Sequence, residues 1–109
     1  MTPLPFDLSQ LRCFVVLSET LHFGKAAARL HITQPPLSRQ IALLEERLSV
    51  KLFDRDRRSV RITPAGRFFE HEARAILKRA EDSAIETRLA AEGVLGTLSI
   101  GFTASLTKA

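Results

Sequence analysis

The sequence contains a single cysteine and lacks any long apolar run. Because Cys13 cannot form an internal disulfide, the chain suits a reducing compartment such as the cytoplasm. A membrane-spanning helix needs about 18 or more consecutive apolar residues, and no such run is present. The N-terminal residues also lack the basic start and apolar core of a signal peptide. The sequence therefore predicts a cytoplasmic protein without a membrane contact.

Groups that would carry catalysis or hold a metal are equally scarce. Cys13 has no histidine near it in sequence, and its place beside an apolar helical stripe favours a small buried side chain. His22, His31 and His71 are scattered without metal-ligand spacing. No glycine-rich phosphate loop or paired carboxylates are evident. We expect no catalytic residue, no metal site and no cofactor in this chain, and an enzyme is the least supported class.

Positive charge is concentrated in the first two thirds of the 109 residues. Residues 1–66 hold ten Lys and Arg against six Asp and Glu, whereas residues 67–109 hold six of each. A local basic excess is typical of proteins that bind nucleic acid, although many inert surfaces also carry a net charge of +4. With 45% hydrophobic residues, the chain has enough apolar content for one small folded domain.

Helical periodicity and capping signals predict three short helices in the first half. The first runs from Asp7, whose spacing to Gln10 is that of a capping box, to about Thr20. The second covers 24–30 and is followed by a tight turn at 31–33. The third is expected to begin near Pro36, because a residue before proline disfavours helical dihedrals.

A hairpin and a long helix follow. Lys51 to Ile62 is expected to form two short strands around a charged turn at 56–59. Thr63 caps a helix that starts at Pro64 and continues to about Gly93. One apolar stripe on this helix predicts pairing with a second chain, with an exposed linker helix as the alternative. The predicted dimerisation residues are Phe69, Ala73, Ile76, Leu77, Ala80 and Ala84.

These elements predict a mainly α fold, a winged helix-turn-helix with a two-stranded wing followed by a long linker helix. We assign residues 1–62 to the DNA-binding domain and 63–93 to the linker and dimerisation helix. Alternation at Leu98, Ile100 and Phe102 predicts a strand. Residues 94–109 are therefore expected to form a hinge and the first strand of a further domain.

The helix-turn-helix predicts where DNA would be read. The second helix of this motif enters the major groove, with its N-terminal residues at base edges. Gln can pair with adenine, Arg with guanine and Ser with either, while proline can contact a thymine methyl. The predicted major-groove residues are Thr33, Gln34, Pro35, Pro36, Ser38 and Arg39.

The wing and two helix starts predict further contacts. Arg57 and Arg58 are expected to reach the minor groove, and the alternative is ion pairing of the wing arginines with neighbouring aspartates. Arg55 fits that alternative better, or a structural role inside the domain. Lys25, Arg29 and Thr63 are candidate phosphate contacts, with solvated surface as the alternative for the first two and ordinary capping for Thr63.

A set of spaced residues extends from Leu11 to Gly66. It comprises Leu11, Phe14, Phe23, Ala26, Ala27, Leu30, Gln34, Pro35, Ser38, Arg39, Ile41, Leu44, Glu45, Leu48, Leu52, Phe53, Arg55, Thr63, Pro64, Ala65 and Gly66. In these residues the chain resembles the N-terminal domain of LysR-type transcriptional regulators, and with the following helix the resemblance covers about nine tenths of it. The segment QPPLSRQ is similar to that of regulators of aromatic-compound catabolism.

The resemblance implies more than the residue patterns do. Family members bind interrupted palindromes in promoter DNA as homodimers joined through the long helix, and full-length proteins commonly form tetramers. A small-molecule effector binds their C-terminal domain and changes DNA bending and RNA polymerase recruitment. The tail GTLSIGF resembles the first strand of that domain.

Two positions depart from the family pattern. Ser49 replaces the usual glycine after the third helix, so this helix is expected to end differently. Gly24 stands where serine or threonine is common, which predicts a second helix without a side-chain cap or a phosphate-binding hydroxyl. A sequence-specific DNA-binding dimer is the favoured function, and a helical protein-interaction module is its alternative.

Overall fold

The computed structural model describes residues 2–93 and confirms the winged helix-turn-helix with a long helix behind it. Its elements are α1 (Leu8–Thr20), α2 (Phe23–Arg29), α3 (Gln34–Leu48), β1 (Phe53–Arg55), β2 (Val60–Ile62) and α4 (Pro64–Ala91). The strand predicted around residues 98–102 lies outside the described residues. The chain divides into two compact units, Met1–Leu77 and Lys78–Ala109. Among the described helices, none has the length and apolarity needed to cross a membrane.

The predicted start of α1 is confirmed. Asp7 Oδ1 accepts a hydrogen bond from the Gln10 backbone N–H at 2.8 Å, and Gln10 Oε1 accepts one from the Asp7 N–H at 2.9 Å. This reciprocal pair satisfies two backbone donors that the first turn leaves without helical partners. The first turn of α1 is thereby fixed by local sequence alone.

Helix α3 begins two residues earlier than its prolines led us to expect. Thr33 is the N-cap, with an extended backbone, and Gln34 is already helical, so the predicted start near Pro36 is wrong. First-turn N–H groups have no partner within a helix, so prolines there remove no helical hydrogen bond. Both prolines consequently lie inside the first turn. Gln34 therefore projects from the helix itself.

One apolar core unites the three short helices, the wing and the first half of α4. The ring of Phe14 lies 5.5 Å from that of Phe53 and 5.1 Å from that of Phe69. Leu37, Ile41 and Leu44 of α3 are fully buried, while Cys13 is 6% exposed. Burial raises the pKa of the Cys13 thiol, and its predicted role as a small buried hydrophobe is confirmed. The inner face of α3 is therefore held in place by the core.

The wing is a two-stranded antiparallel hairpin in which Phe53 pairs with Ile62 and Arg55 with Val60. Its tip is the predicted turn. Asp56 Oδ1 accepts the backbone N–H groups of Arg58 at 2.8 Å and Ser59 at 2.9 Å. The backbone hydrogen bond from Arg58, and to a smaller extent the one from Ser59, holds the pKa of Asp56 below its ordinary value. The carboxylate thus organises the tip from within.

Helix α4 starts at Pro64 behind the predicted Thr63 cap. Thr63 Oγ1 accepts the Gly66 N–H at 2.9 Å and donates to the Lys51 carbonyl at 2.7 Å. A Cβ at residue 66 would lie only 2.2 Å from the Leu52 carbonyl oxygen and 2.6 Å from a side-chain carbon of Ile62. The first turn of α4 therefore lies directly against the base of the wing.

Part of the apolar stripe on α4 belongs to the core of its own domain. Ala73 is 0% exposed, and Phe69 and Leu77 pack against the same cluster. Ala73 was predicted to contact a partner chain, but it has no surface left for one, because the domain's own side chains already cover it. Ile76 is 36% exposed. Within the second unit, Lys78 pairs with Asp82, and Arg79 with Glu86, both at 3.3 Å.

Candidate nucleic-acid interface

The start of α3 presents a compact set of side chains to solvent. Thr33, Gln34, Pro35 and Arg39 are exposed, and Ser38 is half-buried. Pro36, also half-buried, lies in the same first turn. The structure thus brings together all six residues that the sequence predicted for the major groove. Their backbone is held by the buried inner face of the same helix, so only the side chains have freedom to adjust.

Helix α2 has a cap that the sequence analysis did not predict. His22 is the N-cap, and its Nδ1 accepts the Lys25 backbone N–H at 3.0 Å. The expectation that Gly24 leaves this helix without a side-chain cap is therefore wrong, because the cap residue lies two positions earlier. A histidine can take this role when its Nδ1 carries no proton. The Lys25 side chain remains exposed, as a phosphate contact requires.

Arg29 has an intramolecular partner. Its guanidinium lies 2.6 Å from one oxygen of Glu19, whose other oxygen lies 2.9 Å from Arg74. Arg74 also pairs with Glu70 at 2.9 Å. The side-chain hydrogen bond from Arg29, and to a smaller extent the one from Arg74, lowers the pKa of Glu19. Any phosphate contact by Arg29 has to compete with this carboxylate, and it stays a prediction.

Thr63 lies at the predicted helix start, but its hydroxyl is engaged on both sides. The single hydroxyl proton goes to the Lys51 carbonyl, and the backbone N–H of Thr63 donates to the Leu52 carbonyl at 3.0 Å. The residue is only 8% exposed. Its predicted capping role is confirmed. The hydroxyl has no proton to offer a phosphate in this arrangement, because a hydroxyl donates only once.

The wing arginines separate into two groups. Arg57 and Arg58 are exposed at the tip. Arg55 instead points back into the domain, where it pairs with Glu45 at 3.6 Å and stands 5.0 Å above the ring of Phe23. The structural role suggested for Arg55 is confirmed. The ion pair that the wing makes within residues 2–93 uses this glutamate and not the neighbouring aspartates.

Sequence reasoning also missed the structural role of Glu45. It is 6% exposed, and its Oε2 accepts the backbone N–H groups of Leu52 at 2.8 Å and Phe53 at 3.2 Å. One signal was available, because Glu45 lies one helical turn after the buried Ile41 and so faces inward. A charge in such a place needs partners. The carboxylate links α3 to the first strand of the wing.

The end of α3 shows how Ser49 replaces a glycine. Ser49 adopts a left-handed conformation with φ of 57°, and its N–H bonds to the Glu46 carbonyl at 3.1 Å. The helix end therefore keeps the left-handed cap of the family pattern with a non-glycine residue in place. The expectation of a different ending is wrong, because the cap geometry tolerates a serine at a steric cost.

Comparison with known proteins identifies what this architecture is. The fold and the exposed start of α3 define a winged helix-turn-helix domain. The profile described as "Bacterial regulatory helix-turn-helix protein, lysR family" matches residues 8–67. The chain belongs to this family of bacterial regulators.

Two curated relatives illustrate the relationship. The chain is 48% identical over 99 residues to the uncharacterized HTH-type transcriptional regulator YnfL of Escherichia coli, a match covering 91% of this chain and 33% of YnfL. It is 46% identical over 96 residues to the HTH-type transcriptional regulator TfdS of Cupriavidus pinatubonensis, covering 88% and 32%. The chain thus spans about a third of the length of the curated relatives it matches.

Solved structures of similar domains include complexes with DNA. The CbnR DBD–DNA complex aligns with a TM-score of 0.77 at 40% identity, covering 79% of this chain and 99% of that one. The BenM DBD/benA site 1 DNA complex aligns with a TM-score of 0.77 at 43% identity, covering 81% and 99%. Both alignments cover nearly the whole of the crystallised DNA-binding domain, in sequence as well as in fold.

Proposed function

We propose that this chain is the sequence-specific DNA-binding part of a bacterial transcription regulator. It binds an interrupted palindromic promoter site as a homodimer, with α3 in the major groove and the wing in the minor groove. In this proposal the chain performs no chemical step and is not an enzyme. Residues 1–62 read the DNA, and residues 63–93 link and pair the two copies.

The observation that carries the proposal is the contrast between the two faces of α3. Leu37, Ile41 and Leu44 are fully buried on one side of the helix. Arg39 is exposed on the opposite side, and Gln34 is exposed in the first turn. Such a helix is rigidly mounted and presents amide and guanidinium groups that suit adenine and guanine edges. CbnR and BenM, whose DNA-binding domains were crystallised with DNA, share this architecture.

Charge around α3 supports the same function. Arg57 and Arg58 stand on a turn that Asp56 organises from within, so they are held at a defined place on the wing. Arginine is attracted to the negative potential of a narrow A·T minor groove. The exposed Lys25 adds a phosphate contact, and Arg29 contributes one where DNA outcompetes its pairing with Glu19.

The proposal extends to a longer protein that contains this chain. We propose that a C-terminal domain, beginning in residues 94–109, binds a small-molecule effector and mediates tetramer formation. The complete regulator would act in the cytoplasm and communicate with RNA polymerase. The relatives named above support this proposal, since the chain accounts for only about a third of their length.

Selection of bound duplexes from a random pool tests the proposal, because it reports half-site sequence and spacing together. Affinity for the selected duplex should fall steeply with salt, with a slope near −0.9 per neutralised phosphate on a log–log plot. An apolar helix interface of a protein-interaction module would hardly respond. A chain that stays monomeric at high concentration and binds no duplex in dilute buffer would contradict the proposal.

Two substitutions distinguish a contact to a base from a contact to a phosphate. Gln34→Ala should change the base preference at one position of each half-site, because the base edge that Gln34 contacts loses its amide partner. Lys25→Ala is the matched control. It should weaken binding to all duplexes alike and reduce the salt slope by about one, as loss of a phosphate contact does. Identical base preference in the wild type and Gln34→Ala would count against α3 as the reading helix.

A further inference from the structure

A notch without a side chain joins the start of α2 to the start of α3. A Cβ on residue 24 would stand 3.0 Å from Cε1 of His22 and 3.3 Å from Nε2 of Gln34. Both neighbours are side-chain atoms, and these distances are tighter than normal van der Waals contact. The absence of a side chain at Gly24 therefore provides the space in which the imidazole and the amide lie.

Backbone conformation does not explain this glycine. Within residues 2–93, the glycine with a positive φ is Gly93, whereas Gly24 lies inside the helical segment Phe23–Arg29. A glycine within a helix is less favourable than alanine by about 0.5–1 kcal/mol. Because Gly24 has no Cβ, the side chains of Gln34 and His22 can both lie next to it. The position is thus explained by its neighbours and not by its dihedral angles.

The imidazole wall of the notch is fixed in place. His22 Nδ1 accepts the Lys25 N–H at 3.0 Å, and the His22 backbone N–H donates to Thr20 Oγ1 at 3.3 Å. The imidazole of His22 is therefore held through Nδ1, and the backbone of the same residue is held through its N–H. A long and flexible glutamine beside such a wall has fewer orientations available than one in open solvent.

We propose that Gly24 and His22 are positioning residues that orient the Gln34 amide and so set the base preference at the base pair it reads. This inference rests on the proposed function and deepens it. Bidentate pairing with adenine needs the amide oxygen and nitrogen in a defined plane. A displacement of a few tenths of an ångström matters at such a site, because supporting contacts decide its geometry.

Two variants change the notch while keeping the helix. Gly24→Ala adds a methyl group that displaces the amide or the ring, while alanine favours the helix. His22→Asn removes the ring but retains a side chain that can cap α2. Ala28→Ser is the matched control, because it adds one atom at an exposed position of the same helix. All four chains, wild type included, are first compared by thermal unfolding.

The decisive measurement is competition between duplexes that differ only at the base pair whose preference disappears in Gln34→Ala. We expect Gly24→Ala and His22→Asn to reduce the wild-type preference by about fivefold to tenfold, the scale of one disturbed bidentate contact. Ala28→Ser should retain it. In the Gln34→Ala background, Gly24→Ala should have no further effect, because the residue being positioned is gone.

Several results would overturn the inference. Undiminished preference in Gly24→Ala and His22→Asn, with unfolding temperatures intact, would do so. A uniform loss of affinity for every duplex would also do so, since that is the signature of helix destabilisation. If the wild type bound no duplex, the proposed function would fail, and the free chain would decide the notch by NMR. Gln34 side-chain amide signals should then move in Gly24→Ala and His22→Asn but not in Ala28→Ser, and unmoved signals would refute the positioning role.

Discussion

At the scale of single residues, Glu45 connects the third helix to the wing. Its buried carboxylate receives two backbone N–H groups from the base of the wing and pairs with Arg55. Buried donors that lose their acceptor cost about 1–3 kcal/mol each, and hydrogen bonds to a charged group are the stronger kind. The wing is thus attached to α3 by polar contacts as well as by the core.

We expect Glu45→Ala to lower the free energy of unfolding by about 3 kcal/mol, because it leaves two buried donors without an acceptor. Glu45→Gln should cost about 1 kcal/mol, since the amide oxygen can still accept but the charge facing Arg55 is lost. Urea denaturation measures both. The exposed neighbour Glu46 is the control, and Glu46→Gln should stay within about 0.5 kcal/mol of wild type. Equal stability of all variants would refute this role of Glu45.

The residue scale also shows what sequence reasoning could reach. The capping roles of Asp7, Gln10 and Thr63 were predicted correctly because each capping partner lies three residues away. Glu45 was missed because its partners lie seven and eight residues further on, after a change of chain direction that local patterns do not specify. His22 was missed because histidine is an unusual cap, so it gave no signal at the start of α2.

At the scale of elements, each surface feature of the candidate interface is held by a contact within the domain. The recognition helix is held by its buried stripe, the wing tip by Asp56, and α2 by the cap at its start. The element types and the order along the chain were predictable from periodicity and capping. The start of α3 was not, because the rule for residues before proline is a preference that first-turn geometry can override.

The wing tip should contribute to binding separately from α3. We expect Arg58→Ala to weaken DNA affinity by about 1–3 kcal/mol if the guanidinium reads bases in the minor groove, and to reduce the salt slope by about one if it meets phosphate only. Titrations of one A·T-flanked duplex at several salt concentrations separate the two outcomes. Arg55→Ala serves as a comparison, because it should act mainly on stability. Unchanged affinity and slope in Arg58→Ala would remove the wing tip from the interface.

An ion cluster connects three helices, and we expect their association to depend on pH. Glu19 of α1 pairs with Arg29 of α2 and Arg74 of α4, and these partners lower its pKa below the ordinary value of 4.5. A carboxyl group with a lowered folded-state pKa stabilises the fold above the unfolded value. That stabilisation is lost as the pH falls through the folded-state pKa.

Glu19→Gln should therefore flatten the acid limb of the stability curve. Above pH 5 the wild type should exceed the variant by no more than about 1 kcal/mol, because these pairs are partly exposed and screened. The difference should shrink as the pH falls below 4.5. Chemical denaturation across this range provides the measurement. Glu72→Gln, at an exposed position on α4, should run parallel to wild type, and an undiminished difference at low pH would show that charge is not the cause.

At the scale of the whole molecule, the apolar stripe of α4 has a covered part and an uncovered part. Phe69, Ala73 and Leu77 complete the core of the first unit, whereas Ile76 retains 36% exposure. Ala80 is half-buried and Ala84 exposed. Dimerisation would then rely on the uncovered members of the stripe, Ile76, Ala80 and Ala84. Two copies on one duplex bind more tightly than either alone, because the second contact is intramolecular.

Ile76→Lys should make the chain monomeric, because it places a charge in the proposed apolar interface. DNA affinity for a site with two half-sites should fall by about 100-fold as the bivalent contact is lost. Analytical ultracentrifugation and a shift assay measure these effects. Ala75→Lys carries the same charge at a neighbouring exposed position off the stripe and should remain dimeric. A dimeric Ile76→Lys would show that pairing uses another face.

The crowding at Gly66 has a consequence for how this protein can vary. A methyl group there would overlap the Leu52 carbonyl oxygen at 2.2 Å, and backbone atoms have little room to retreat. A library encoding all twenty amino acids at this codon, screened for promoter occupancy in cells, should return glycine almost alone. Codon 24 in the same library should accept several small residues with altered operator choice. We therefore expect substitutions at residue 24 to change the base preference, whereas residue 66 should remain glycine.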